Sequence, residues 1–548
     1  MTERRSKLLV VIAVWLSFLV VSLVSAPIPA VNEPHYLAMA RHYWDSSWCA
    51  GDLFLQSVPA HRVFYQTFGW LTLWLDLATV ALLGRVVSLA LLAASWTSLV
   101  IRLQREGSVN PSVVISACER PRSGERGYPA DSDHRPVAIN ALLAAWLFLG
   151  LQAIGNLSGE WLIRGFESKV IAYAFVFWGI GLMLDRKLIA SAMCSGVAIS
   201  FHPIVGLWHV TALVIAEVAN FKFQISNRRW LIAAALLAVT ALPGLWPAVE
   251  MLRDVNPRAA FAANYIQVFY RLKHHLDPMN FGAANYVGYG LLTALWLAML
   301  VWLRRRQTMS QTDRWWIGFV AATALFALGG LLAGFGPRPA EFMPGFRWRM
   351  VLLKFYPFRL FDLMLPIAVA MLLPRVFQQR SLWLVGLAGL GWALISDRVV
   401  PPPNRLPTAM QADWRAACRW VAANTPPDAV FHTPDEAVAF KWFAQRAEYV
   451  NPKDCPQDAA GIVEWNDRLR RITKWSARSF DDDQTYSLDE LRELVRQTGV
   501  RFAIIGSRER YEVPDADLLY SNDSYKILRL PEAERRAADE KVPMSRTR

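Results

Sequence analysis

The sequence predicts a mainly α-helical, polytopic membrane protein, a bundle of about eleven transmembrane helices followed by a small C-terminal α/β domain. Three observations predict it. Of 548 residues, 54% are hydrophobic and only 19% charged, against about 25% charged in an average soluble chain. Apolar runs of roughly 17 to 25 residues recur from Lys7 to about Ile395, enough to cross ~30 Å of hydrocarbon at ~1.5 Å per helical residue. After Pro401-Pro402-Pro403 these runs cease and shorter, mixed segments take over. Only helices and closed barrels satisfy their backbone in lipid, and the runs are too long and continuous for barrel strands.

The expected spans lie near 8–27, 79–101, 136–153, 168–184, 188–203, 205–220, 230–247, 284–303, 315–335, 356–374 and 381–396. The first follows Arg4, Arg5 and Lys7 as a signal peptide would. Its apolar stretch is long, however, and Ser25-Ala26-Pro27 is a poor cleavage site, so it reads as a retained helix. Lys and Arg at span ends set the orientation. With a cytoplasmic N-terminus, the loops holding Arg102 to Arg135, Arg186 and Lys187, Lys222 to Arg229, Arg304 to Arg314, and Arg375 and Arg380 are cytoplasmic. The first loop, 28–66, and the C-terminal domain then face the outer side of the membrane. The stretch 63–102 could hold two spans. One span is preferred, because two would carry the basic loop 102–135 outside. Gln66 to Asp76, with Trp70 and Trp74, then lies along the interface as an amphipathic helix. His202-Pro203 breaks the pair 188–203 and 205–220 into a hinged or re-entrant hairpin.

These features divide the chain into a membrane domain, 1–400, a soluble α/β domain, 401–531, and a disordered tail, 532–548. In the soluble part Asp413 to Ala423 is expected to be helical and Ala429 to His432 a short strand. Thr433-Pro434-Asp435-Glu436 and Ser487-Leu488-Asp489-Glu490 should each open a helix by a capping pattern. Phe502 to Gly506 should be a buried strand and Tyr525 to Leu530 an edge strand. The net charge of +13 does not point to nucleic acid, because the basic residues cluster between apolar runs. Five Cys make no disulfide scaffold, although Cys418 and Cys455 share one expected compartment and could form a single disulfide there. No phosphate loop, dinucleotide fingerprint or zinc spacing is present in the tail.

Three stretches carry candidate chemistry. The first loop places Glu33, His35, Asp45, Asp52 and His61 among aromatics directly after the first span. A partly desolvated carboxylate there suits a general base for a hydroxyl acceptor, or a ligand for a divalent cation. The alternative is ordinary loop acids beside an amphipathic helix starting at Pro34. The second stretch runs from Tyr270 to Pro278, where Arg271, Lys273, His274 and His275 could clamp a phosphate or diphosphate. A metal suits it less, because adjacent side chains on a helix do not face one site. The third holds Arg359 and Asp362 at the start of an apolar span. Ionisable residues at that depth face a cavity or a partner; these two could bind a lipid phosphate or pair with each other at i, i+3. Glu160, Arg164, Glu167 and Lys169 crowd a short loop and either line the same cavity or anchor helix ends.

A retained first helix, a large acidic first loop and a soluble C-terminal domain together resemble the GT-C superfamily of membrane glycosyltransferases. The family's acidic pair just after the first span corresponds here to Asn32-Glu33, within Asn32-Glu33-Pro34-His35-Tyr36. The resemblance gives Glu33 the base or metal role, while Asn32 departs from the acidic pattern. The chain is also similar to an uncharacterised bacterial membrane family through Gly51-Asp52-Leu53-Phe54-Leu55, His274-His275-Leu276-Asp277-Pro278, and Ala417-Cys418-Arg419-Trp420 with Asn424-Thr425-Pro426. What the resemblance implies is transfer of a sugar from a polyprenyl-phosphate donor to an acceptor on the outer side of the membrane. Glu33 would be the base with Asp52 and His61 in support. Arg271, His274, His275 and Arg359 would hold the phosphate. No metal ligand set is expected, a divalent cation is the one cofactor left open, and membrane lipids and the lipid-linked donor are the expected partners. Two other classes remain: a transporter or flippase of a lipid-linked or small polar substrate, and a catalytically inactive assembly component of the same fold.

Overall fold

The structure is a computed structural model. It describes residues 3–30, 32–105, 138–220, 228–253, 255–377, 379–399, 406–435, 438–480, 485–512, 514 and 517–531. The tail 532–548, most of the basic loop 102–135, and Lys222 lie outside the described residues. The chain divides into two compact units, one of residues 1–40 and 59–402, the other of residues 41–58 and 403–548.

Every span expected from the sequence falls on an apolar helix of the first unit. In chain order its helices are α1 (Glu3–Ser25), α2 (Glu33–Trp44, which runs on into the second unit), α3 (Arg62–Phe68), α4 (Leu77–Arg105), α5 (Ile139–Ile154), α6 (Ser168–Leu184), α7 (Leu188–Phe201) and α8 (Pro203–Asn220). There follow α9 (Arg228–Glu250), α10 (Pro257–Tyr265), α11 (Lys273–Leu276), α12 (Ala283–Arg305), α13 (Gln311–Gly334), α14 (Phe346–Lys354), α15 (Arg359–Val376) and α16 (Gln379–Val399). Among the described residues seven of these are long and apolar enough to cross a membrane. An eighth crossing arises if α14 and α15, bent by 53° at a short break, form one span, while α5, α6 and α7 are shorter apolar helices. The protein is thus a multi-pass membrane protein.

Local chemistry explains the boundaries that matter for the site. The stretch 63–102 resolves into α3, a 3-10 turn at Gly69–Leu73, and the single continuous α4. Asp76 starts α4 by accepting from the Ala78 and Thr79 amides (3.0 and 2.9 Å) and the Thr79 hydroxyl (2.7 Å). Ahead of it, Trp74 is 80% exposed, as suits an aromatic ring at a membrane interface. The proline at 203 ends α7 and opens α8, leaving His202 between them. Inside the bundle α6 packs on α4 and α7, α7 on α9, and α5 on α16. The last contact is backbone to backbone: a Cβ on Gly150 would lie 2.6 Å from the Cα of Gly389.

The second unit is the small α/β region. Its sheet runs in the order β2 (Ala447–Glu448), β1 (Val430–His432), β4 (Phe502–Gly506), β7 (Tyr525–Arg529), β6 (Leu518–Ser521). β1 is parallel to β2 and β4, and β7 is antiparallel to β4 and β6. A small parallel pair joins β3 (Thr485–Tyr486) to β5 (Arg510–Tyr511). The helices are α17 (Thr408–Asn424), α18 (Phe440–Ala444), α19 (Ala459–Phe480) and α20 (Leu488–Thr498). Trp414, Cys418 and Val421 of α17 bury against Phe431, Ile504 and Ile527 of the sheet. The Ser487–Glu490 capping box opens α20 as expected.

Three local expectations change. Tyr525–Arg529 is an interior strand, because the hairpin turn at Asn522 adds β6 outside it. Thr433 opens no helix; α18 begins at Phe440, and the Thr433 hydroxyl donates instead to Glu448 (3.0 Å). Cys418 and Cys455 form no disulfide, and Cys418 is a core residue.

The Gly150–Gly389 contact leaves backbone no room to retreat. Gly150→Val should therefore cost about 1–3 kcal/mol, read as a lower thermal midpoint in detergent. Gly391→Ala, with nothing within 4 Å of its Cβ, should leave the midpoint unchanged.

Candidate active site

The ends of α1, α2, α3, α7 and α15 and the loop 155–167 meet in one polar region of the first unit. The sequence explains each arrival. α1 ends at Ser25, and a short turn through Ala30 delivers Glu33 to the first turn of α2. There the Glu33 carboxylate, fully buried, accepts from Arg85 of α4 through both oxygens (Nε and Nη2, 2.7 Å each). It also accepts from the amides of Ala30 (2.7 Å) and Phe166 (2.8 Å). Arg85 turns its remaining nitrogen to the Ser22 and Ala26 carbonyls of α1 (3.0 and 2.6 Å). Asn32, at the position where the family pattern has an acid, donates to Glu167 (3.1 Å). An acid there would meet a second carboxylate.

The loop 155–167 is tied at its other side by Asp362 of α15. Its carboxylate accepts from the amides of Leu157 (2.7 Å), Ser158 (2.9 Å) and Glu160 (3.1 Å) and from the Ser158 hydroxyl (2.6 Å). Asp362 therefore does not pair with Arg359, as the i, i+3 spacing allowed. Arg359 points at Glu160 (Nε to Oε2, 2.9 Å) and at His202 Nε2 (3.1 Å), and its guanidinium lies 4.1 Å from the Tyr356 ring centroid. Lys169, at the start of α6, lies 3.4 Å from Glu160 and 3.3 Å from Glu167, over the ring of Trp161. Burial pulls the Glu160 carboxyl up, but Arg359 and then Lys169 outweigh it, so the group is held below its ordinary range and charged.

His61 sits beside this cluster. Its Nε2 lies 3.2 Å from the Tyr36 hydroxyl, its Nδ1 3.1 Å from Ser168 Oγ and 3.4 Å from the Phe201 carbonyl, and its ring 5.2 Å from that of His202. A carbonyl only accepts, which places the proton on Nδ1 and leaves Nε2 to accept from Tyr36. Burial pushes His61 down to about 4 and raises the Tyr36 hydroxyl well above its usual range.

The expected phosphate ligands separate. Arg359 is in the cluster, and His275 reaches the same loop through Nδ1 and the Ser158 carbonyl. Burial, then His274, pushes His275 down to about 3. His274 is exposed, its ring 4.1 Å from that of His275, and Arg271 ends the helical stretch Ile266–Arg271. Asp52 belongs to the second unit, where Lys441 is buried between Asp52 (3.1 Å), Glu448 (2.5 Å) and Asp454 (2.7 Å). Burial lifts Glu448 above its ordinary range, while the three carboxylates keep Lys441 protonated against its own burial. Among the described residues no group of three or more His, Cys, Asp or Glu could hold a metal ion.

Three buried polar atoms at the cluster make no hydrogen bond: Glu160 Oε1 and Arg359 Nε, which meet only their ion-pair partners, and the hydroxyl of Tyr173 on α6. Tyr173 is close enough to interact electrostatically with Glu160, Arg359 and Asp362. A buried hydroxyl left without a bond costs about 1–3 kcal/mol unless something polar meets it, so a polar group beside Tyr173 would be favoured. The residues that sequence reasoning missed as members of one site are His202 and Tyr173. Glu160, Arg164, Glu167 and Lys169 stand out in the sequence as a crowded loop that lines a cavity or anchors helix ends, whereas a lone tyrosine in an apolar run carries no signal.

Residues 412–472 match the family model described as a domain of unknown function, DUF6798. No curated protein matches the chain. Among solved structures the chain is similar to the oligosaccharyltransferase of Archaeoglobus fulgidus, with 12% identity over 91% of this chain and 69% of that one, at a TM-score of 0.48. It is similar to ArnT from Cupriavidus metallidurans, with 12% identity over 96% and 98% and a TM-score of 0.40. It is also similar to the mycobacterial arabinofuranosyltransferase AftD, with 14% identity over 97% and 40% and a TM-score of 0.47. Likenesses of this degree concern the course of the chain, and what the site can do follows from its own side chains.

With all four hydrogen bonds of Glu33 already made, Arg85→Met should act through stability. Leaving the carboxylate buried and unpaired should cost about 3–5 kcal/mol, seen as a lower thermal midpoint of the detergent-solubilised protein. His61 should make stability depend on pH. Its folded value, about 4, lies below the 6.5 of an unperturbed ring, so its contribution is whole above pH 6.5 and is lost as pH falls from there toward about 4. Thermal midpoints across that window should fall, and His61→Gln should flatten the fall.

Proposed function

We propose that the chain is an integral membrane glycosyltransferase that moves a sugar from a polyprenyl-phosphate donor to a hydroxyl acceptor on the outer side of the cytoplasmic membrane. The observation that carries the reading is the buried cluster of Glu160, Lys169, Arg359 and Tyr173 at one end of an apolar bundle, with polar atoms left for a ligand. Such a transfer needs a base for the acceptor hydroxyl and positive charge for the departing phosphate.

In this reading the acceptor oxygen bonds to the sugar's anomeric carbon as the bond from that carbon to the donor phosphate oxygen breaks. The acceptor proton passes to Glu160, which is charged and has a spare oxygen. Arg359 and Lys169, with His275 nearby, take up the charge that gathers on the leaving polyprenyl phosphate. Tyr173 donates to the sugar or the phosphate. Glu33 and Asp362 act as positioning residues that hold the loop 155–167. His61 fixes Tyr36, and Asp52 belongs to the frame of the second unit. The orientation read from the basic loops places this end of the bundle and the second unit outside the membrane.

The test is transfer by the purified protein in nanodiscs from a polyprenyl-phosphate-linked sugar. Glu160→Gln should lower kcat by about 10²–10⁴ and Arg359→Gln by about 10²–10³. A Glu160→Gln protein turning over at the wild-type rate would remove the assigned base. One second reading has an observation in its favour. The acid at the family's motif position, Glu33, is sealed by Arg85, as suits a non-catalytic component that binds lipid phosphate. Donor binding without turnover would support it.

A further inference from the structure

A second polar region of the first unit borders this cluster and meets it at His275. Segments 253–281 and 336–354 together hold eight Lys and Arg against three Asp and Glu. They form a layered surface. In the inner layer Tyr265, Phe269 and Phe346 pack ring against ring, Lys354 donates to Asn264 (2.6 Å), and Arg338 pairs with Asp277. Two of the local carboxylates are engaged there, Asp277 with Arg338 and Glu341 with Tyr265.

The outer layer is different. Arg258, Lys273 and Arg347 are exposed and form no ion pair among the described residues. They alternate with exposed aromatics: Phe261 (40%), Tyr270 (60%) and Trp348 (58%). The Arg347 guanidinium lies 5.7 Å from the Phe261 ring centroid. α14, which carries Arg347 and Trp348, is bent 53° from α15 at a short break, so the two helices do not share one axis. Cations interleaved with aromatic rings on a short helix beside such a bend match headgroup depth. In the orientation proposed above, and resting on it, these segments also face outside, where Lys and Arg are normally scarce.

We infer that this face binds the phosphates of anionic phospholipid headgroups, with Arg258, Lys273 and Arg347 meeting the phosphates and Phe261, Tyr270 and Trp348 seated among the upper acyl chains. Each exposed cation near such a surface adds to the attraction, and the sum is screened by salt. Arg258, Lys273 and Arg347 are not among the groups assigned to the transfer step.

The experiment reads lipid binding alone, so a failed transfer assay leaves its result intact. Protein in neutral detergent is titrated with phosphatidylglycerol or phosphatidylcholine, and retained lipid is counted by native mass spectrometry. The wild type should retain phosphatidylglycerol in preference. The triple variant Arg258→Gln, Lys273→Gln, Arg347→Gln should lose that preference by about tenfold or more, with an unchanged helical circular dichroism spectrum. Raising salt should weaken the wild-type preference. Equal retention of the two lipids by the wild type, or an undiminished preference in the triple variant, would overturn the assignment. So would stronger retention of a polyprenyl phosphate than of phosphatidylglycerol that the triple variant abolishes, because the face would then belong to the carrier lipid.

Discussion

The buried pair of Arg85 and Glu33 is the constraint on which this end of the bundle depends. Where α1 ends, Arg85 donates to the Ser22 carbonyl of its last turns and to the Ala26 carbonyl just beyond it. The same guanidinium grips Glu33 with two parallel bonds, which fixes angle as well as distance. Glu33 then accepts the Phe166 amide and so ties the loop 155–167 to the start of α2. Neither side chain is exposed, so water cannot replace any of these bonds. One ion pair thereby joins α1, α2, α4 and the loop that carries Glu160 and Glu167.

Asp362 holds that loop from the opposite side by three amides and a hydroxyl. Between these two anchors the loop has little freedom, and the charges it presents are nearly balanced: Glu160 and Glu167 against Lys169 and Arg359. His61 and His275 are kept neutral by burial. A balanced cluster avoids the cost of a net buried charge. It can still accept an anion, because a phosphate approaching Arg359 competes with Glu160 for one guanidinium. The ion pair between Arg359 and Glu160 is thus the one that, in the proposed reading, an anion would loosen, freeing the carboxylate at the same moment.

The bundle was legible in the sequence because lipid imposes one rule on every span, a run of apolar residues about 20 long. The preference for a single span before Arg102 agrees with the unbroken α4, and Asp76 supplies the cap that makes it begin where it does. The break at His202-Pro203 was legible for a similarly local reason. The site was legible only in pieces. Arg359 and the crowded loop announced themselves as charges where charge is costly. Their pairing did not, since Arg359 bonds Glu160 across 199 positions of sequence while the neighbouring Asp362 was the local candidate. Asp52 and His61 lie nine residues apart in one expected loop, yet they fall in different units. The edge strand was misplaced because the turn at Asn522 is a three-residue signal beside a strongly apolar neighbour.

Burial alone does not say what a carboxylate is for; the number of its lone pairs still uncommitted does. Glu33 accepts four bonds, two of them from a guanidinium whose three nitrogens all donate, so a ligand could take its oxygens only by displacing those donors. Asp362 is committed just as fully to backbone amides and a hydroxyl. Asp52 accepts the amides of Leu55 and Glu448 and pairs with Lys441. Glu160 is as buried as these, and its Oε1 faces Lys169 without a hydrogen bond. A general base needs an oxygen that can take a proton and surroundings that keep it charged until then. On that criterion Glu33 fits the positioning role and Glu160 the base role given to them in the proposed reading.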